Sequence, residues 1–225
     1  MVKDDTSFVA LVLGASGLTG SALLNELIGS PNCSQIHILV RRPVDSTSPK
    51  LVTHVVDFSN KQELEACIPE KAVLFSCLGT TMRHVKGDKT AYRKIDFDIP
   101  LTVAGMVKAK GGKEMVLLSS IGANARSGNF YLALKGEIEE AFIKLQPEQL
   151  HIYRPSVLVG NRKEKRMGEG LGKILLQALS FLLIGKWSNY RPAPVEKIAH
   201  SMVDAIGKKD TPVQYYYWKD FSGLL

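Results

Sequence analysis

Through most of the chain, apolar residues fall in short solid blocks, each followed by a stretch where they recur every three or four positions. "FVALVLG" (8–14) is a β-rich run ending at glycine and predicts a buried strand. "LTGSALLNELIGS" (18–30) has helical spacing with Gly29 near its end. "IHILVRR" (36–42), "LVTHVVDF" (51–58), "AVLFSCLG" (72–79) and "EMVLLSS" (114–120) predict four more strands. "KQELEACI" (61–68), "AYRKIDFDIPLTVAGMVKAKGG" (91–112) and "FYLALKGEIEEAFIKL" (130–145) predict helices between and after them, the second carrying an early Pro100. "LHIYRPSVLVG" (150–160) reads as a strand, "NYRPAPVEKIAHSMVDAI" (189–206) as a helix and "QYYYW" (214–218) as a strand. Strand and helix alternate almost throughout. That predicts an α/β fold, a doubly wound parallel sheet with helices on both faces.

At 225 residues, the chain fits one α/β domain spanning 1–225, with no internal repeat or low-complexity linker. The stretch 161–195 is the candidate lid or substrate-side segment. In it a basic run, "NRKEKR", precedes the apolar tract "ILLQALSFLLIG". Leu171, Ile174, Leu175, Ala178, Leu179 and Leu182 would share one helical face, buried against the domain, closing over a lipophilic substrate, or forming a dimer face or membrane-surface contact. The tract is shorter than the roughly 20 residues a membrane span needs, so no stable membrane insertion is expected. Cys33, Cys67 and Cys77 have no metal-ligand spacing, and the histidines do not cluster, so no metal site is expected. The odd cysteine number and the lack of an apolar leader in "MVKDDTSF" predict a reducing, cytoplasmic setting. The formal net charge of +7 suits an anionic ligand or a solvated basic surface. The lysines are scattered, with no interleaved aromatic and basic motif, so no nucleic-acid partner is expected. A homodimer or protein partner stays open.

The first strand-to-helix turn, "LVLGASGLTGSALL", carries Gly14, Gly17 and Gly20. One glycine permits the tight turn, one lets the backbone approach a pyrophosphate, and one allows close helix–sheet packing. The new helix offers free N–H groups to phosphate, and Ser16 and Thr19 can add hydroxyls. The second strand ends in Arg41-Arg42, where NAD-specific proteins of this fold place an acid for the ribose. Two guanidiniums suit a 2′-phosphate, which favours NADP(H) over NAD(H). Asp57 closes the third strand, where a carboxylate can accept from an adenine amino group, and Leu78-Gly79 closes the fourth. Cys77 there reads as a small apolar residue rather than a nucleophile.

Ser119 and Ser120 close the fifth strand, and Tyr131 and Lys135 open the next helix. Residues four apart share a helix face. An ammonium beside a phenol favours phenolate, so the tyrosine can act as acid toward a carbonyl or base toward an alcohol. Taken alone, Tyr131 is equally a core aromatic, and Lys135 a surface residue beside Glu139. The glycine turn and the strand-end serines make the pair a candidate Ser-Tyr-Lys hydride-transfer site.

The glycine turn, Tyr-x-x-x-Lys and "YRPSVLVG" together resemble the short-chain dehydrogenase/reductase superfamily. "CLGTT", "LLSSIGANA", "FYLALKGEIE" and "RPSVLVGNR" resemble its atypical branch, the Tat-interacting-protein-like oxidoreductases, from about Val9 to Val195. The resemblance implies a Rossmann-type doubly wound parallel sheet with a short C-terminal substrate-side segment, and NADPH contacts from Ser16, Gly17, Leu18, Thr19, Arg41, Arg42, Leu78, Gly79, Tyr131 and Lys135. It also implies a nicotinamide-lining Leu158 and a phosphate-reaching Arg166. The longer separation from Tyr131 favours Ser119 over Ser120 as the site serine. The segment after Gly160 is shorter than the substrate domain of extended relatives. The expected activity is NADPH-dependent reduction of a carbonyl, with a substrate that sequence leaves open. A cofactor-sensing regulator with little turnover, or an isomerase or epimerase that uses bound cofactor transiently, is the alternative.

Overall fold

The computed structural model describes residues 7–44, 48–160, 185–208 and 211–223. Strand β1 (Phe8–Leu13) lies between β2 (Cys33–Val40) and β4 (Val73–Ser76). The seven-stranded order is β3-β2-β1-β4-β5-β6-β9, where β3 is Leu51–Val55, β5 Glu114–Leu118, β6 Gln149–Tyr153 and β9 Val213–Tyr216. Every pairing is parallel. Parallel neighbours need crossover helices on both faces, so central strands are apolar on both sides. Residues Ala10 to Leu13 accordingly have no solvent exposure.

Helix α1 (Leu18–Gly29) covers one face together with α6 (Val195–Asp204), burying Leu23, Leu27, Ile198 and Met202 against Val12, Ile36 and Ile38. The other face carries α2 (Lys61–Ala66), α4 (Ile99–Ala109) and α5 (Phe130–Lys144), which bury Leu64, Val103, Val107, Ile138 and Phe142 against Leu11, Leu13, Leu74 and Leu117. A last short helix, α7 (Trp218–Ser222), follows β9. All strand carboxyl ends lie along one edge. The order turns between β1 and β4, the crevice where open α/β sheets bind ligands.

Several elements differ from the sequence pattern; among them, β4, β5 and β9 end at Ser76, Leu118 and Tyr216, short of the predicted Gly79, Ser120 and Trp218. Strands β2 and β3 stop at Val40 and Val55, leaving Arg41, Arg42 and Asp57 in the loops beyond. The helical stretch around Pro100 is three pieces: α3 (Lys89–Arg93), a π turn (Lys94–Asp98) and α4. Pro100 has no N–H to continue the ladder. Just before it, the Ile99 N–H reaches back five residues to the Lys94 carbonyl. The 150–160 run splits into β6 and a two-residue β7 (Leu158–Val159), which pairs with β8 (Ala193–Pro194) in a second small sheet. The predicted 189–206 helix begins only at Val195. A 3₁₀ turn (Gly185–Tyr190) and β8 precede it; Pro192 and Pro194 disfavour helix at Arg191 and Ala193, the residues before them. The candidate lid tract and Arg166 lie outside the described residues.

Candidate functional site

The glycine turn is built by contact. Gly14 has φ +80°, and a methyl group on it would stand 2.6 Å from the Cys77 carbonyl oxygen. Its lack of a side chain lets the first turn abut the backbone at the end of β4. A methyl on Gly20 would overlap the Gly14 carbonyl, so this glycine sets the close approach of α1. Gly17 has ordinary backbone angles, is exposed, and caps α1 without a side-chain hydrogen bond. No acidic residue stands in the first turn of α1. Its amino end therefore presents uncapped N–H groups. Ser16 is exposed there. Thr19 is 3% exposed, and its hydroxyl has no protein partner among the described residues. An uncapped helix end over a buried, unpaired hydroxyl is a cradle that fits a phosphate.

Arg41 and Arg42 are exposed past β2, and neither pairs with a carboxylate among the described residues. Asp57 stands two residues beyond β3, where the N–H and hydroxyl of Ser59, each at 2.8 Å, hold its carboxyl below the ordinary range. It caps the turn into α2 while keeping lone pairs for another donor. Beside it, a shallow groove of about 290 Å³ runs between Phe58, Ser59 and Lys61 and the Lys94–Thr102 stretch. Leu158 packs on the core at β7. Two residues on, a methyl placed on Gly160 would meet Val195 and, at 3.2 Å, Leu18. The chain after β6 is thereby brought beside the glycine turn.

At the reacting end, Asn129 caps α5 by accepting from the N–H groups of Tyr131 and Leu132 at 3.0 and 3.2 Å. The cap starts the helix where Tyr131 stays 39% exposed and Lys135, one turn on, is buried. The Lys135 ammonium is 5.9 Å from the Tyr131 ring centre. Gly136 allows this depth, because any side chain there would strike the backbone of Asn124 and Ala125.

The partner of Lys135 is Asp96, at 3.2 Å, with both side chains almost wholly buried. Asp96 also accepts from the Thr80 N–H at 2.7 Å, which ties the loop after Gly79 to the lysine. Burial raises the Asp96 carboxyl above its ordinary value against the pull of Lys135 and Thr80. Asp96 lies outside the sequence-derived site. Its only signal there was a proline inside a helical pattern, and the π turn ahead of that proline holds Asp96. Burial pushes the Cys77 thiol up to about 12, despite nearby Lys135, which makes it a neutral apolar neighbour.

The two serines part ways. Ser119 is buried and donates to the Glu139 carboxylate, which is also held by Arg154 through Nε at 3.0 Å and through Nη2. Arg154 reaches the Tyr217 hydroxyl at 3.0 Å and stacks on Tyr215. Ser120 is half-buried, and among the described residues its hydroxyl makes one long bond, 3.3 Å to the next carbonyl. The serine favoured on sequence is committed to a buried ion pair, and its neighbour is the freer hydroxyl. Among the described residues no group of His, Cys, Asp and Glu could hold a metal ion, and no helix is long and apolar enough to cross a membrane.

A doubly wound parallel sheet with this glycine turn and a Tyr-x-x-x-Lys helix defines an atypical short-chain dehydrogenase/reductase. The chain belongs to the HIM1 family, whose sequence profile matches residues 48–182. It is 34% identical over 196 residues to Protein HTATIP2 of Rattus norvegicus, covering 86% of this chain and 78% of that protein. It is 34% identical over 189 residues to the mitochondrial protein FMP52 of Candida albicans, covering 82% of this chain and 81% of that one. Its fold matches a UDP-glucose 4-epimerase of Thermus thermophilus solved with NAD, at TM-score 0.68 and 13% identity, covering 93% of this chain and 76% of that one. The cytoplasmic expectation is corrected by these findings, because the fungal relatives are named as mitochondrial proteins. Cysteine count separates oxidising from reducing compartments and does not distinguish among the reducing ones.

Proposed function

We propose that this chain is an NADPH-dependent reductase of a small carbonyl compound. The observation that carries the reading is the meeting of two sites on one sheet edge. Gly14 abuts Cys77 and Leu78, and the loop beginning there ties through Thr80 and Asp96 to Lys135. This chain of contacts supports reading the phosphate cradle and the tyrosine–lysine pair as one site.

When bound, the nicotinamide supplies a hydride. The protein's own residues do the rest. The α1 amino end and Thr19 hold the pyrophosphate, and Arg41 and Arg42 take the 2′-phosphate by charge and fork geometry. Leu78, Gly79 and Leu158 border the dinucleotide. Lys135 donates to the nicotinamide ribose. Tyr131, exposed at the helix start, gives its proton to the carbonyl oxygen as that oxygen becomes an alkoxide. Ser120, with its freer hydroxyl, orients the same oxygen. The mitochondrial naming of the fungal relatives supports the same setting for this chain.

Calorimetric titration with NADPH and NADH at one salt concentration tests the reading, since arginine–phosphate attraction is screened. The expected result is preference for NADPH, lost in Arg41→Ala and Arg42→Ala. Equal affinity for the two nucleotides would remove the NADP assignment, and no binding of either would remove the cofactor. A carbonyl screen then separates enzyme from sensor: Tyr131→Phe should keep NADPH binding and lose turnover.

A further inference from the structure

A lysine carried to the floor of a crevice faces a difficulty its chemistry does not solve. Burial favours the neutral amine, and a neutral amine both donates and accepts, so it fixes neither a charge nor a direction. The surroundings of Lys135 show how this chain meets it. The titratable groups near it are Asp96 from the π turn, Cys77 from the end of β4, and Tyr131 and Glu139 one turn either side on α5. Glu139 is already bound by Arg154 and Ser119. Cys77 is a neutral thiol. Among these groups Asp96 is the carboxylate in contact with the ammonium, at 3.2 Å.

We infer that Asp96 is a positioning residue of this site, holding Lys135 as an ammonium through one donor and leaving the other two for ribose hydroxyls. The inference rests on the NADPH-binding reading above and assigns it a residue. Three features build the arrangement. The π turn ahead of Pro100 carries Asp96, which is 3% exposed. The Thr80 N–H fixes Oδ1 at 2.7 Å, so Oδ2 is the oxygen that meets Lys135. Gly79 lies beside the carboxylate; a methyl on it would stand in van der Waals contact with Asp96 Oδ2, at 3.6 Å. The carboxylate is thus held at one oxygen by the loop after Gly79, and its other oxygen meets and aims the lysine. The pair also offsets one positive charge beside Tyr131, so loss of Asp96 alters both the protonation and the direction of the amine.

Asp96→Asn is the variant that tests this, since asparagine keeps an acceptor for Thr80 and removes the charge. NADPH affinity is measured by calorimetry at about pH 6.5 and about pH 9, below the ordinary lysine range, for wild type, D96N, K135M and the double variant. Wild-type affinity should change less than about threefold across that interval. D96N should bind nearly as wild type at the lower pH and at least tenfold more weakly at the higher, where an unpaired buried lysine gives up its proton. In the K135M background, adding D96N should change nothing, which distinguishes an effect through the lysine from a general loss of structure. Nuclear magnetic resonance of protein carrying ¹³Cε-lysine, with Lys135 assigned through K135M, follows the amine without cofactor and should show it deprotonating earlier in D96N. A wild type that binds NADPH while D96N matches it at both pH values overturns the inference alone. So does a D96N loss that persists undiminished in K135M. A wild type that binds no nucleotide overturns the cofactor reading, and the positioning role with it.

Discussion

The hydroxyl of Ser119 donates to the carboxylate of Glu139, while Ser120 beside it makes, among the described residues, one long bond to its neighbour's carbonyl. Just past β5 the Ser119 N–H still donates to the Tyr153 carbonyl, and neighbouring side chains on such extended backbone point to opposite faces. Ser119→Ala removes a hydrogen bond to a buried charged group, which contributes about 1.5–3 kcal/mol. Its melting temperature should fall by about 3–12 °C in a chain of this size, with NADPH affinity retained. Ser120→Ala should melt within about 1 °C of wild type and lose turnover on any carbonyl the protein reduces. Calorimetric melting of the two variants checks the first half, and S119A melting like wild type would sink it.

Gly14 and Gly17 make a second contrast. An alanine at 14 meets a left-handed backbone, costing about 1–2 kcal/mol, and overpacks against Cys77 for about 1–3 more. Gly14→Ala should therefore lose about 2–5 kcal/mol in urea unfolding. Gly17 has φ −75°, and its added methyl would stand 3.2 Å from the Gly14 carbonyl. Gly17→Ala should fold with less than about 1 kcal/mol lost, yet bind NADPH at least tenfold more weakly, because the methyl occupies the phosphate's approach. Equal stability loss in both variants would mean that the turn is only architecture.

The glycines were legible in sequence because each role is local, fixed by a turn between one strand and one helix. The parallel sheet was legible for a similar reason, as apolar blocks alternate with helical spacing. Asp96 was not. "KIDFDIP" offers two acids two residues apart, and which one turns inward depends on a π turn that no regular period describes. Nor was the fate of Ser119, because Glu139 and Arg154 come from separate elements 15 residues apart and meet only after the sheet forms. Strand ends were overrun at Arg41 and Asp57 because polar loop residues can continue an alternating pattern without pairing.

Arg154 and Glu139 carry their own prediction. The Glu139 side chain is 4% exposed and takes two contacts from the guanidinium. Removing one partner of a buried pair strands the other charge. Arg154→Met should therefore destabilise by about 3–5 kcal/mol in urea titration. Glu139→Gln in the same chain should recover more than half of that, since the carboxylate that lacked its partner is gone. Equal losses for the single and double variants would mean that Arg154 acts through Tyr215 and Tyr217 instead.

His37 on β2 and His54 on β3 stack at 5.1 Å between ring centres, with His37 Nδ1 2.8 Å from His54 Nε2. His37 Nε2 lies 3.0 Å from the Gln35 side-chain oxygen, an acceptor, so the network assigns His37 a proton on Nε2 and leaves Nδ1 to accept from His54. A further proton on His37 would set N–H against N–H. Burial lowers both imidazoles from the ordinary value of 6.5, and His54 lowers His37 further. A base whose folded pKa lies below its unfolded one binds fewer protons when folded, so its contribution is full above pH 6.5. That contribution is lost as pH falls from there through the lowered folded values. Melting temperature should therefore decline on acidification below pH 6.5, and His54→Gln should flatten the decline while leaving the neutral-pH value within a few degrees. An unchanged slope in the variant would place the acid sensitivity elsewhere in the fold.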